Sequence, residues 1–532
     1  MLVIIRFAPV ASPNETASPH TMPIINERDF PLLPSQDAKR RRATKRKLKN
    51  NGLRSRTAKS LATLTDLPDE LILEILGYLP GIDLNQFQLP TLVNLALTSR
   101  RFYRIVVDML YTKYNSHFCE PYTFLRTMIL NPQLAEFVHD VDITFGLWTC
   151  RKGRRYAPTA KDKKTIKEGL RALGTSDWKE WATQSNEDRS NDEALQNAML
   201  LHIPNITHLS ILDIARDRSR RRAWFDLISK AAAGTLSRQT HRFEHLRSIK
   251  LEARTTSLSD IAPLFRLQSL RKLQLREVHE YGMADCNICA SHREHGERTA
   301  LKLQRLIPQA CNDLDELELE CTYYTKFLLE VLISSARCLK TFRYDVCLDH
   351  LSDSPIPNGD RLKTLCEALD SQKASLETLY IFCDSIAEER THSGIHLRDS
   401  LEGFVSLKEL SCPLGMMMSR VSDTITERLP ASLLTFRTPV RPSTDDQHYL
   451  QALDNVASSY LAHVPRLKEV RVVVSSFAMY DWQRLVELFS VEKGINFVVE
   501  RDDEDADFSD WKDDSTDSSR SSNEIDLYSD HD

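Results

Sequence analysis

The sequence predicts an α/β protein: a small three-helix module near the N-terminus, then a curved solenoid of alternating strands and helices, with a disordered tail at each end. Three observations predict it. Apolar residues at helical spacing crowd residues 64–114. Between residues 138 and 472 one six-residue apolar pattern recurs ten times, often with an amphipathic run between copies. Outside these regions the chain turns polar, with a basic run near one end and an excess of acids at the other. The expected division is a basic tail over 1–60, the helical module over 61–115, the repeating domain over 116–499 and an acidic tail over 500–532.

Composition narrows the function classes. The 532 residues are 41% hydrophobic and 27% charged, enough for at least one large core. Glycine contributes only 15 residues, well under the usual share of about 7%. Loops that cradle phosphates need glycine for positive φ and close backbone approach. The chain has no GxxxxGK[ST], GxGxxG, GxSxG or HExxH, and none of its 16 histidines sits in a catalytic signature. The expectation is a non-enzymatic protein with no cofactor. Eleven scattered cysteines read as small buried hydrophobes in a reducing compartment. No apolar run approaches the roughly 18 residues a membrane span requires.

The first 60 residues hold several prolines and no apolar period, and are read as disordered. Within them Lys39-Arg-Arg-Arg42, Lys45-Arg-Lys47, Lys49, Arg54, Arg56 and Lys59 form a basic run that no acid interrupts. Three readings remain open: a nuclear import signal, a solvated linker, or a nucleic-acid contact, the last weakened by the absence of interleaved aromatics. The expected location is the nucleus, the cytoplasm or both. From Glu500 onward acids and serines dominate, and self-repulsion should keep that tail disordered.

In the module, Pro68 suits a first helical position, and Asp69 and Glu70 favour the positive end of the helix dipole. The helix reads Leu71-Ile-Leu-Glu-Ile-Leu-Gly-Tyr-Leu79. Its apolar residues cover about 200° of the circumference, whereas one core needs a stripe of roughly 100°. The surplus calls for a second partner. Leu67-Pro-Asp-Glu-Leu71, Ile75-Leu76, Tyr78-Leu79 and Leu95-Ala-Leu-Thr-Ser-Arg-Arg-Phe102 resemble the F-box, a three-helix module. One departure is Asn85 to Pro90, which reads as a short insertion between the first two helices. The resemblance implies binding of the Skp adaptor of a cullin–RING ubiquitin ligase through Leu67, Pro68, Leu71, Ile72, Ile75, Leu76 and Leu79.

The recurring pattern begins at Val138, Ile206, Leu246, Leu270, Leu314, Leu339, Leu376, Leu407, Leu433 and Leu467. Its last three positions alternate as a half-buried strand requires, and its leading apolar residue turns the chain inward. Successive copies lie from 24 to more than 60 residues apart. Leucine-rich repeats recur at 20–29 residues, so several units here carry inserted helices or loops. Leu301–Ile307, Phe327–Ile333 and Leu362–Leu369 are amphipathic runs between strands, and Asp481–Phe489 with Ile495–Val499 supplies a final unit. A strand and a helix per unit, each burying its neighbour's apolar face, gives the solenoid.

The residue between the last two apolar positions points away from the core onto the concave sheet. These residues are Asp142, Ser210, Lys250, Gln274, Glu318, Arg343, Tyr380, Ser411, Arg437 and Arg471. Both charge signs, three arginines and a tyrosine suit recognition of a target protein. The expected target contacts are Lys250, Gln274, Glu318, Arg343, Tyr380, Arg437 and Arg471. A separate cluster, Cys286, Cys289, His292 and His295, has the residue types of a tetrahedral zinc set. It packs them into ten residues, too few to wrap an ion comfortably, so the expectation is a polar loop without metal. The leading reading is a substrate-recognition adaptor of a cullin–RING ligase; the alternative is a leucine-rich-repeat scaffold without ligase association.

Overall fold

The computed structural model describes residues 64, 67–78, 88–116, 119–145, 156–186, 192–213, 223–237, 240–253, 256–278, 292–322, 324, 326–346, 365, 367–383, 401, 403–414, 417, 425–440, 446–474 and 483–501. The N-terminal tail with its basic run, residues 286 and 289, and the acidic tail from residue 502 onward lie outside this set; Glu500 and Arg501, expected in the acidic tail, end a strand instead. The chain divides into two compact units, one of residues 1–206 with 237–240 and one of 207–236 with 241–532.

The first unit is mainly helical. It opens with α1 (Asp69–Gly77), α2 (Gln88–Thr98), α3 (Arg100–Thr112) and α4 (Pro121–Leu130). Two short parallel strands, β1 (Lys113–Asn115) and β2 (Asp140–Phe145), pair Tyr114 with Val141. Helices Ala160–Ala172, Trp178–Asn186 and Asp192–His202 complete the unit. A polar clamp fastens the start of one of them to α4. Arg126 on α4 donates to the Asp162 carboxylate at 3.0 Å and to the Tyr156 hydroxyl at 2.8 Å, and Tyr156 donates to Asp162 at 2.7 Å. Asp162 also accepts from the Thr159 backbone and hydroxyl, closing a capping box. Burial alone would raise the Asp162 carboxyl; the hydrogen bonds from Tyr156, Thr159 and Arg126 overcome it and hold the group well below the usual carboxylate range.

The second unit is built on ten parallel strands: β3 (His208–Asp213), β4 (Ser248–Ala253), β5 (Lys272–Arg276), β6 (Glu316–Thr322), β7 (Thr341–Val346), β8 (Thr378–Cys383), β9 (Glu409–Ser411), β10 (Thr435–Val440), β11 (Glu469–Val474) and β12 (Asn496–Arg501). Within this unit, strands consecutive in sequence pair with one another, so spatial order from β3 to β12 equals chain order. The leading apolar residue of every copy, from Ile206 to Leu467, is at most 5% exposed.

One backbone ladder explains why copies of unequal length stay in register. The carbonyl of Arg247 accepts from the N–H groups of Arg271 and Lys272, and that of Arg271 from Asp315 and Glu316. Asp315 does the same for Lys340 and Thr341, and Lys340 for Glu377 and Thr378. The pattern continues through Glu377, Lys408 and Leu434. Register is therefore fixed at the start of each strand, before any insertion can shift it. Buried amides reinforce these turns. Gln372 accepts from Leu339 N–H at 3.0 Å and donates to the Ala336 carbonyl at 2.9 Å, while Asn312 accepts from Leu314 N–H at 3.2 Å.

The expected amphipathic runs find these places. Leu301–Leu306 lies within helix His292–Leu306, and Phe327–Ile333 within Lys326–Ser334. Half of Leu362–Leu369 lies outside the described residues; Leu365 and Glu367–Leu369 are helical. After Gln483–Val486 the helix widens into a π-helical turn over Glu487–Glu492, and the chain then enters β12.

Candidate functional site

The first surface is the face of α1. Ile72 and Leu76 point into a core with Leu92, Ala96, Phe102, Ile105 and Val106, against which Leu67 and Leu95 pack. Ser99 caps α3, accepting from Phe102 N–H at 3.2 Å. Arg101 reaches back to Asp69 at 2.6 Å and donates to the Leu67 carbonyl, tying the start of α3 to the start of α1. The Thr-Ser-Arg-Arg-Phe stretch thus serves the fold: cap, staple and core residue in four positions.

What remains on α1 is an apolar surface open to solvent. Leu71 is 45% exposed, Ile75 40% and Tyr78 81%, and Pro68 is exposed beside them. Spacings of three, four and three residues place Pro68, Leu71, Ile75 and Tyr78 on one helical stripe. Leu73 is exposed on the other side of the core-facing residues.

Three expectations are corrected here. Ile72 and Leu76, expected to meet a partner, are 1% and 6% exposed and belong to the module's own core. Pro68 precedes the helix: Asp69 is its first residue, and the Pro68 carbonyl accepts from Ile72 N–H at 3.2 Å. Residues 88–90, expected within an insertion, form the first turn of α2. Pro90 is tolerated there because first-turn N–H groups have no intrahelical acceptor. Leu67 is partly buried, and Leu79 lies outside the described residues. Sequence reasoning missed the exposed Tyr78 as a stripe member, although its spacing from Leu71 and Ile75 carries the signal.

The second surface is the outward row of the ten-stranded sheet. Register pairs Ser210 with Lys250, Lys250 with Gln274, Gln274 with Glu318, Glu318 with Arg343 and Arg343 with Tyr380. The row continues through Ser411, Arg437 and Arg471 to Val498. All seven expected target contacts therefore lie in one register-matched row on strands about 4.8 Å apart, with Ser411 of β9 standing between Tyr380 and Arg437. Asp142 belongs to the first unit, where it pairs with Lys113 at 3.0 Å.

The row is not a set of free side chains. Glu318 is only 3% exposed, buried beneath Lys272 at 2.9 Å and Arg343 at 3.5 Å. Burial pushes its carboxyl up, but hydrogen bonds from Glu316 and Lys272 and the charges of Lys272 and Arg343 hold it below the usual range. Lys272 also meets Glu316 at 3.2 Å, and Arg276 meets Glu252 at 3.8 Å. The Arg343 guanidinium lies 4.5 Å from the centre of the Tyr380 ring, which stacks on Phe382 at 6.2 Å and donates to Glu409 at 3.1 Å. Arg471 pairs with Glu469 and, at 2.7 Å, with Glu500, which also takes Arg437 at 3.4 Å. Ser411, between Tyr380 and Arg437, is buried. These flanking partners stand two residues from the row along their strands, where the period of two puts them on the same face.

The zinc-like cluster falls mostly outside the described residues. Cys286 and Cys289 are not described; His292 and His295 lie in the first turn of helix His292–Leu306. Among the described residues no group of three or more metal-ligating side chains gathers, and no helix is long and apolar enough to cross a membrane.

Comparison with curated proteins finds no match. Comparison with protein families finds residues 64–116, spanning α1 to α3, similar to the F-box-like family.

Proposed function

We propose that the chain is a substrate-recognition adaptor of a cullin–RING ubiquitin ligase. The F-box-like module docks the Skp adaptor, and the strand–helix domain, read as an irregular leucine-rich-repeat solenoid, holds a target protein on its sheet face. The observation that carries this reading is the exposed stripe Pro68, Leu71, Ile75 and Tyr78 along the first helix and its two caps in a family-matched module. Three large apolar side chains in line on one short helix are a docking feature that a self-contained fold would bury. Their exposure favours the adaptor over the scaffold reading, in which that stripe would pack within the chain. The sheet face supports target binding by its chemistry, since arginines and aromatics dominate the strong contacts of protein interfaces. In this reading the chain performs no chemistry itself; ubiquitin transfer belongs to the other subunits of the ligase.

Co-expression with the Skp adaptor tests the proposal. The native chain should co-purify with it, and no association at micromolar concentration would leave the scaffold reading in its place. The basic run is proposed as an import signal. Replacing Arg40, Arg41, Lys45 and Arg46 by alanine should shift a fluorescent fusion from nucleus to cytoplasm, and an unchanged distribution would count against it.

A further inference from the structure

The sheet face has more formal acids than bases, yet the layer it turns to solvent is cationic. In each ion pair of that face described above, the base is the more exposed member. The Arg343 side chain is 44% exposed against 4% for its partner Glu318, and Arg471 is 41% against 20% for Glu469. The acids of these ion pairs form a floor, and the guanidinium and ammonium heads lie over it; Glu409, which accepts from Tyr380, is an exposed acid on the same face. Lys250, in the same row, is exposed. An arginine held to one carboxylate still has N–H donors directed outward, suited to a further carboxylate.

The chain beyond β12 has the complementary chemistry. Residues 502–517 carry nine acids and one base, with Phe508 and Trp511 among them. The face has its own aromatic centre, Arg343 over Tyr380 stacked on Phe382. The tail starts directly after Arg501, the last residue of β12, whose Glu500 already holds Arg437 and Arg471. Reach is ample. The 31 residues from 502 to 532 extend to about 100 Å, whereas the eight strand spacings from β12 back to β4 cover only about 38 Å.

We propose that the acidic C-terminal tail lies back over this face, its acids on Arg471, Arg437, Arg343 and Lys250 and its aromatics against Tyr380 and Phe382. The tail is an internal competitor for the surface. Tethering gives it a local concentration on the order of millimolar, so a weak contact suffices to occupy the face. The contact itself does not depend on the adaptor reading; its consequence, that a target must displace the tail, does.

The test uses the full chain and contains no ligase component, so its failure leaves the docking proposal untouched. Carbodiimide couples carboxylates to amines only at contact distance. It should join tail residues 502–517 to Lys250 or Lys272, in low salt and not in 1 M salt, where screening collapses to about 3 Å. A labelled synthetic peptide of residues 502–517 gives an independent readout. It should bind at least tenfold more tightly to a full-length variant with Asp502, Asp503, Glu504, Asp505, Asp507 and Asp510 changed to their amides than to the native chain. Adding Arg343→Gln, Arg437→Gln and Arg471→Gln to that variant should abolish the gain. Crosslinks confined to the lysines of the 39–59 run would overturn the proposal. Equal affinity for native and amide chains would also overturn it, leaving an open site for acidic segments of other proteins.

Discussion

In the F-box-like module the exposed groups that mark a docking face are apolar and lie along one nine-residue helix and its C-cap. Across β3–β12 they are polar and shared among ten strands. The module keeps only two α1 side chains, Ile72 and Leu76, for its core and leaves Leu71, Ile75 and Tyr78 to solvent. The sheet buries most of its described apolar row and spends much of its outward row on ion pairs and one cation–aromatic stack. A small module can therefore hold a concentrated anchor, where each buried leucine or isoleucine contributes about 1.5–3 kcal/mol. The sheet instead offers many contacts, each individually weak because it is already partnered and wet.

The comparison can be broken first where the module is smallest. Phe102→Ala removes the α3 anchor from a core of few residues and should cost about 3–5 kcal/mol. Hydrogen exchange of the α1–α3 amides would rise sharply, with β3–β12 unchanged. Equal loosening of both regions would mean that they do not fold as separate units.

The sheet's weak point is a polar group. Gln372→Ala strips the Leu339 N–H and the Ala336 carbonyl of their partner in a buried turn. Leaving such groups unsatisfied costs about 1–3 kcal/mol. The denaturation midpoint of the second unit should fall, with that of the first unchanged.

Ile72 and Leu76 also show how far the residues alone disclose the site. The 200° apolar arc of α1 was legible, and so was its need for two partners. Which half faced inward was not, because that depends on where α2 and α3 sit, and helical spacing carries no such information. The sheet was more transparent. A period of two with a leading leucine placed all seven expected contacts in one register-matched row, because the backbone ladder absorbs insertions before each strand begins. Burial of Glu318 was not readable, since it depends on Lys272 and Arg343 from two different neighbouring strands.

A smaller effect sharpens the first unit. Asp162 titrates below the ordinary carboxylate value of 3.8 because the folded state stabilises its charged form. Its contribution is complete above that value and is lost as pH falls below it toward the folded pKa. Stability measured from pH 6 to pH 2.5 should decline below about pH 4, and Asp162→Asn should flatten that decline. A variant with the same slope as the native chain would show that the clamp does not set acid sensitivity.

The central claim is that the exposed stripe of α1 is a docking surface and not misplaced core. Titration of purified Skp adaptor into the native chain and into Leu71→Glu with Ile75→Glu, alongside thermal unfolding of both, tests it most directly. Native binding at micromolar affinity or tighter is predicted, with a loss of about two to three orders of magnitude in the double variant and an unchanged unfolding midpoint. Retention of full affinity by the double variant, or loss of binding accompanied by unfolding of the module, would contradict it.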